Sequence, residues 1–297
     1  MATIDIDAGR PARLTLRKVS KWFRSRRASV HALDEVSLDV APGEFVCLVG
    51  PSGCGKSTLL NIAAGLMPPS SGSVRVNGER LSGLNRRATY MFQQDALLPW
   101  KNVRDNVALG LVLAGVASAD ANARANEWLA RVGLSAFAAH YPSQLSGGMR
   151  KRVTMAQNWI LDRGMLLMDE PFSALDVHTR QRMETELLNL WEATAENAEV
   201  AEKNNSPRAQ RPLTLKKTVV FVTHDLEEAI ALADEVVVLS AGPASHVVAR
   251  HPVTLDRPRD LMELRTAPAF VDLHRALWVV LREEVKRSQR AAEPTRG

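Results

Sequence analysis

The chain has 297 residues, 38 Lys+Arg against 33 Asp+Glu, a formal net charge of +5, and 45% hydrophobic residues. That length points to about two domains, and that balance excludes a disordered, collagen-like or disulfide-stapled protein. Two cysteines, Cys47 and Cys54, are too few for a disulfide framework, so a reducing compartment is expected. Aromatic residues make up only 5%, which argues against a single-strand nucleic-acid binder built on base stacking.

Met1–Asp7 carries two acids and no apolar core, so no secretory leader is expected there. Arg10–Arg27 then holds eight basic residues and no acid. That stretch reads as a solvated face or mobile arm, or as a contact for nucleotide phosphates, lipid headgroups or nucleic acid. Glu44–Val49 is a short apolar run ending in Gly50, the pattern of a buried strand. Ser57–Leu66 follows with apolar residues at helical spacing, and Gly65 and Pro68-Pro69 stop it. Turn residues from Ser70 lead into a short strand at Ser73–Val76.

From Pro99 to Pro142 the chain turns rich in Ala, Leu, Arg and Glu, and Ala123–Val132 reads as helical. A separate helical subdomain is expected at about 95–162. Its most apolar stretch, Val107–Ala119, is 13 residues, and a membrane-spanning helix needs about 20. Any membrane role is therefore expected to run through partners. Met165–Met168 reads as another buried strand and Thr179–Thr194 as an amphipathic helix. Ala195–Lys217, rich in Glu, Lys and Asn, reads as a flexible surface loop. Thr218–Thr223 and Glu235–Ser240 are β-branched strands flanking a helix at Leu226–Ala233. Alternating strands and helices predict an α/β fold with a mostly parallel sheet.

The chemistry concentrates in Gly50-Pro51-Ser52-Gly53-Cys54-Gly55-Lys56-Ser57, followed by Thr58. This matches G-x-x-x-x-G-K-[ST], between a strand and a helix. Glycines let backbone N–H groups wrap phosphates, and the helix adds its positive end. Lys56 would reach the β- and γ-phosphates and the Ser57 hydroxyl would ligate Mg2+. Cys54 reads as a small filler residue rather than a redox group. Asp169 and Glu170 end a buried strand. Asp169 could hold Mg2+ through water, and Glu170 could polarise an attacking water. Leu145-Ser146-Gly147-Gly148-Met149 opens a basic helix that Ser146 could cap, and its glycines allow close approach to an anion.

With these motifs in this order, the sequence resembles the ATP-binding cassette (ABC) ATPases over about residues 12–285. Gly50–Thr58 is similar to Walker A, Met165–Glu170 to Walker B, and Leu145–Met149 to the family signature, with Met149 in place of the usual glutamine. The resemblance assigns Gln93 to the Q-loop, with Gln94 as the alternative, and gives it a metal contact and a link to a transport partner. It assigns Asp176, in Ser173–Asp176, to the D-loop and His224 to the γ-phosphate switch. Phe23, or else Trp22, becomes the residue stacked on adenine.

The implied fold is a RecA-like P-loop NTPase core with an inserted helical subdomain and an antiparallel β subdomain. One nucleotide-binding domain would span 12–245, including an insertion at about 195–217, and a C-terminal extension would span 246–297. Leu97–Trp100, Asn106–Gly110, Arg257–Arg265 and Trp278–Val285 resemble the nitrate/sulfonate/taurine importer branch.

The resemblance implies ATP and Mg2+ as cofactors and a homodimer in which Ser146–Gly148 of one subunit close over ATP held by the other. It also implies a permease in the inner membrane, a periplasmic solute-binding protein, and a peripheral position on the cytoplasmic face. No nucleic acid is expected. The alternatives are an exporter or lipid-transporter ATPase, or a soluble ABC ATPase acting on DNA or ribosomes.

Overall fold

The computed structural model describes residues 9–25, 28–203 and 216–292. In chain order the elements are β1 (Leu14–Arg24), β2 (Ser29–Val40), β3 (Phe45–Val49), α1 (Lys56–Ala63), β4 (Ser71–Val76), β5 (Glu79–Arg80) and β6 (Ala88–Met91). Then come α2 (Val103–Leu113), α3 (Ser118–Arg131), α4 (Gly147–Trp159), β7 (Met165–Asp169) and α5 (Val177–Lys203). Next are β8 (Thr218–Val222), α6 (Leu226–Leu232), β9 (Glu235–Leu239), β10 (Val247–Pro252), α7 (Leu261–Leu264) and α8 (Pro268–Ala292). The chain forms two compact units: one is built on Arg87–Lys216, the other on Pro11–Arg86 and the chain from Lys217 onward.

The second unit holds two strand ladders. In one, β1 pairs antiparallel with β2 and β4, and β4 continues to β5. In the other, β3 runs parallel to both β8 and β9, and β10 closes the edge antiparallel to β9. Every residue of β3 and of β8 is buried. Unbroken apolar runs are what a parallel strand covered on both faces requires. In the first unit, β6 and β7 pair in parallel, and α2, α3 and α4 pack on one another. Asn102 caps α2 by accepting from the Asp105 amide, and Asn106, fully buried, satisfies its amide on Leu98, Lys101 and Asn102 carbonyls.

The helix after the phosphate loop begins at Lys56 and stops at Ala63, just before Gly65 (φ +70°). A side chain there would sit 1.9 Å from the Gly83 carbonyl oxygen, so only glycine fits. The basic stretch differs from a mobile arm wherever it is described: its body is β1, with Leu14, Leu16 and Val19 fully or almost fully buried. Arg26 and Arg27 lie outside the described residues, as do Met1–Ala8. The helix expected at Thr179–Thr194 runs from Val177 to Lys203, so the first nine residues of the 195–217 segment continue α5 as helix instead of forming a loop. Residues 204–215 lie outside the described residues.

The C-terminal extension does not stand apart from the unit that carries Gly50–Thr58. Arg257 and Arg259 grip the end of α6: Arg259 donates to the Ile230, Ala231 and Ala233 carbonyls, and Arg257 to that of Leu232. Positive groups at a helix C-terminus satisfy its orphan carbonyls and complement its dipole. No helix among the described residues is long and apolar enough to cross a membrane.

Candidate functional site

One group of candidate residues lies where β3 ends and α1 begins. Gly53 and Gly55 take φ of +77° and +92°. Those left-handed residues turn the chain so that α1 starts without any side-chain cap at Gly55. A glycine-rich turn feeding a helix N-terminus is an arrangement that suits a phosphate anion. A Cβ on Gly50 would meet Cys54 Sγ at 2.8 Å and the Leu239 carbonyl at 2.9 Å, and one on Gly55 would meet Leu33 at 2.8 Å. The loop is therefore packed tightly from behind.

Lys56 is 6% exposed, and its Nζ donates to the carbonyls of Gly50 (2.8 Å) and Pro51 (3.1 Å). The cation thus lies along the inside of the loop. Ser52, Gly53 and Ser57 are exposed, and Thr58 is half-buried on the first turn of α1. Burial pushes the thiols of Cys54 and, further, Cys47 above the ordinary range, which fits packing and not reactivity.

His224 follows β8 and is exposed. Behind it, buried Thr223 donates to Glu228, and the Asp225 amide donates to Thr223 Oγ1 at 3.0 Å. Asp225 caps α6 through the Glu227 and Glu228 amides. These contacts fix the turn that carries His224.

At the end of β1, Trp22 and Phe23 are 40% and 41% exposed. The Trp22 ring stacks flat on His31, with centroids 3.8 Å apart, so one of its faces is already covered. The Phe23 ring faces the Lys21 ammonium at 5.5 Å.

A second group lies in the other unit. Asp169 and Glu170 end β7, both half-buried, and Glu170 takes φ +43°. Tyr90 donates to Asp169 Oδ2 at 3.3 Å, and burial together with the nearby carboxylate pushes the Tyr90 phenol above its usual range. Ser173 Oγ donates to the Glu170 carbonyl at 3.0 Å and accepts from Gln93 Nε2 at 3.4 Å. Gln93 is thereby brought to the Asp169-Glu170 turn.

The Gln93 carbonyl accepts from Lys151 Nζ at 2.7 Å. Asp95 pairs with both Lys151 (2.9 Å) and Arg150 (3.2 Å). Ser146 caps α4 by accepting from the Met149 amide. A Cβ on Gly148 would press Thr179 Cγ2 at 2.8 Å. Asp176 caps α5 through the Thr179 amide, and that hydrogen bond holds its carboxyl below the usual range.

The residues that the resemblance assigns to the Q-loop, signature, Walker B and D-loop thus all lie in this unit, with Gln93 linked to the Glu170 turn through Ser173 and to α4 through Lys151. Sequence reasoning missed Tyr90, Asp95, Lys151 and Thr223. Of these only Lys151 left a signal, as part of the basic helix start Arg150-Lys151-Arg152.

The side-chain oxygens of Ser57 on one unit, and of Asp169 and Gln93 on the other, are each of the hard kind Mg2+ prefers. A few protein oxygens completed by phosphate and water are what such sites use. The absence of any cluster of three His, Cys, Asp or Glu among the described residues is therefore no objection.

Residues 33–173 match the family model described as ABC transporter. The taurine import ATP-binding protein TauB of Burkholderia pseudomallei (strain 1710b) is 40% identical over 279 residues, covering 93% of this chain and 99% of that protein. The protein of the same name from Rhizobium johnstonii is 41% identical over 267 residues, covering 88% and 94%. An ABC transporter ATP-binding protein of Methanocaldococcus jannaschii, MJ0412, is 38% identical and covers 93% and 94%.

Among solved structures, the dimeric post-hydrolysis state of the ATP-binding cassette MJ0796 bound to ADP and Pi matches with a TM-score of 0.65. It is 29% identical, with 82% of this chain and all of that one covered. With a phosphate loop on one unit, the carboxylates and signature residues on the other, and near-full-length identity to such proteins, this chain belongs to the ABC transporter family of ATP-hydrolysing subunits.

Proposed function

We propose that the chain is the ATPase subunit of an importer for a small anionic or zwitterionic solute of the nitrate, sulfonate or taurine class. The observation that carries this reading is 40% identity across 99% of a taurine import ATP-binding protein. That extent includes the C-terminal extension and exceeds what the core motifs alone would give.

In this reading the glycine-lined turn Gly50–Gly55 and the N-terminus of α1 bind the ATP phosphates, with Lys56 leaving its loop carbonyls for the β- and γ-phosphates. Phe23, or else Trp22, both exposed at the end of β1, stacks on the adenine. Mg2+, held by Ser57, Gln93 and Asp169, would neutralise phosphate charge. Glu170 takes a proton from the attacking water, and His224 steadies the γ-phosphate end.

Two copies assemble as a homodimer, as MJ0796 does. The partner subunit's Ser146, Gly147 and Gly148 then close the shell around the γ-phosphate, and Asp176 lies beside that closure. Dimer closure passes through Gln93 to permease subunits. The protein therefore sits peripherally on the cytoplasmic face of the membrane, served by a periplasmic solute-binding protein.

The test is phosphate release by the chain reconstituted with its co-purifying permease in liposomes. Turnover should rise when the solute-binding protein carries taurine or a related sulfonate. If none of taurine, alkanesulfonates and nitrate raises it above the solute-free rate, the importer reading fails.

A further inference from the structure

We propose that Glu284, on the C-terminal helix α8, is a positioning residue for nucleotide binding: it fixes the segment that backs the phosphate loop. The inference rests on the ATPase reading above and gives the C-terminal extension a role at the same site.

Glu284 is 4% exposed on a helix whose other inward positions include Phe270, Leu277 and Leu281. A carboxylate in such a place costs free energy unless its oxygens are satisfied. Both are. Oε2 accepts from the Ala241 amide at 2.8 Å, and Oε1 accepts from Arg287 Nη1 at 2.7 Å. Arg287 is mostly exposed and lies on the same helix. The Ala241 amide is the hydrogen bond by which Glu284 reaches from α8, which also packs on α6 and β10, to the segment after β9.

Ala241 opens the segment that runs past the back of the phosphate loop. Just before it, the Leu239 carbonyl stands 2.9 Å from where a Gly50 Cβ would be. Just after it, a Cβ on Gly242 would lie 3.2 Å from the Gly53 carbonyl and 3.7 Å from Cys54 Cα. On its other side the segment joins β2: Ser245 N donates to the Ala32 carbonyl, and Asp34 N donates to the Ser245 carbonyl at 2.8 Å. β2 carries His31, on which Trp22 stacks. Residues 239–245 are thus wedged between the phosphate loop and the strand beside the adenine candidates, and Glu284 holds the segment from outside.

The experiment uses the full chain and a fluorescent ATP analogue, with thermal unfolding and steady-state hydrolysis in parallel. Glu284→Leu removes the acceptor, and the Kd and KM for ATP should rise about fivefold while kcat stays within about twofold. Glu284→Gln keeps an oxygen for the Ala241 amide and should return the Kd to within about twofold of wild type. Gly242→Ala leaves α8 untouched and should show the same loss of affinity as Glu284→Leu.

A role confined to stability would lower Tm in Glu284→Leu and leave the Kd unmoved at temperatures well below unfolding. That result overturns the proposal, as does a Gln variant as impaired as the Leu variant. If Glu284→Leu does not fold, Gly242→Ala decides, and a wild-type Kd there overturns the proposal. A wild-type chain that bound no ATP would overturn the functional reading and this inference with it. Wild-type binding with unshifted variants overturns this inference alone.

Discussion

At the scale of single residues, the proposed reading separates groups that bind from groups that react. Lys56 is held by two carbonyls of its own loop, whereas Glu170 sits at the end of β7 with its backbone at φ +43°. A proton acceptor can be removed without removing the phosphate cradle. Glu170→Gln should therefore keep the wild-type Kd for ATP and lose at least about a hundredfold in kcat. Equilibrium binding and single-turnover phosphate release check this, and a variant that hydrolyses at the wild-type rate would show that Glu170 is not the base.

The cysteines give a second prediction. Burial raises both thiols, so iodoacetamide at pH 8 should label neither in the folded chain and both after denaturation, as read by mass spectrometry. Candidates of this kind could be named from sequence because the phosphate loop, the Asp169-Glu170 strand end and the Ser146–Gly148 turn are each contiguous. Tyr90 and Asp95 could not, because their partners Asp169 and Arg150 are far along the chain, across a gap that only folding closes.

At the scale of elements, the Q-loop is anchored to the start of α4 through charges. Asp95 pairs with Arg150 and Lys151, and Lys151 also holds the Gln93 carbonyl. The Lys151 side chain is 4% exposed, so removing its carboxylate partner leaves a buried cation short of a counter-charge. Asp95→Ala should cost about 1–3 kcal/mol, visible as a lower Tm. It should also lower kcat more than ATP affinity, since Gln93 moves while the phosphate loop does not.

The elements that sequence placed well, β3, β7 and β8, are unbroken apolar runs, and their burial on both faces is what such runs encode. β1 was harder to read because its register against β2 shifts three times. Each shift interrupts the alternation that marks a half-buried strand. The far end of α5 was misread because Glu, Lys and Asn suit an exposed helix as well as a loop.

At the scale of the whole molecule, the residues assigned to the proposed reaction fall in both units. The phosphate loop and His224 belong to one unit, and Asp169, Glu170, Gln93 and Ser146–Gly148 to the other. In the proposed dimer, ATP is the shared element. It binds one subunit through the phosphate loop and the other through the Ser146–Gly148 helix start, so bound triphosphate favours association by mass action.

Hydrolysis removes that link, and a wild-type pair should part as product forms. Glu170→Gln stops hydrolysis without touching either binding surface, so with ATP and Mg2+ it should sediment as a dimer while wild type returns to monomer. Ser146→Arg, placed at the cap of α4, fills the space the γ-phosphate would need against that helix. In the Glu170→Gln background it should abolish the ATP-induced dimer and leave the Kd of each monomer for ATP unchanged. Analytical ultracentrifugation of the double variant with saturating ATP is the decisive measurement. A dimer that persisted there would mean that the two copies meet through some other face, and the shared-nucleotide account would have to be abandoned.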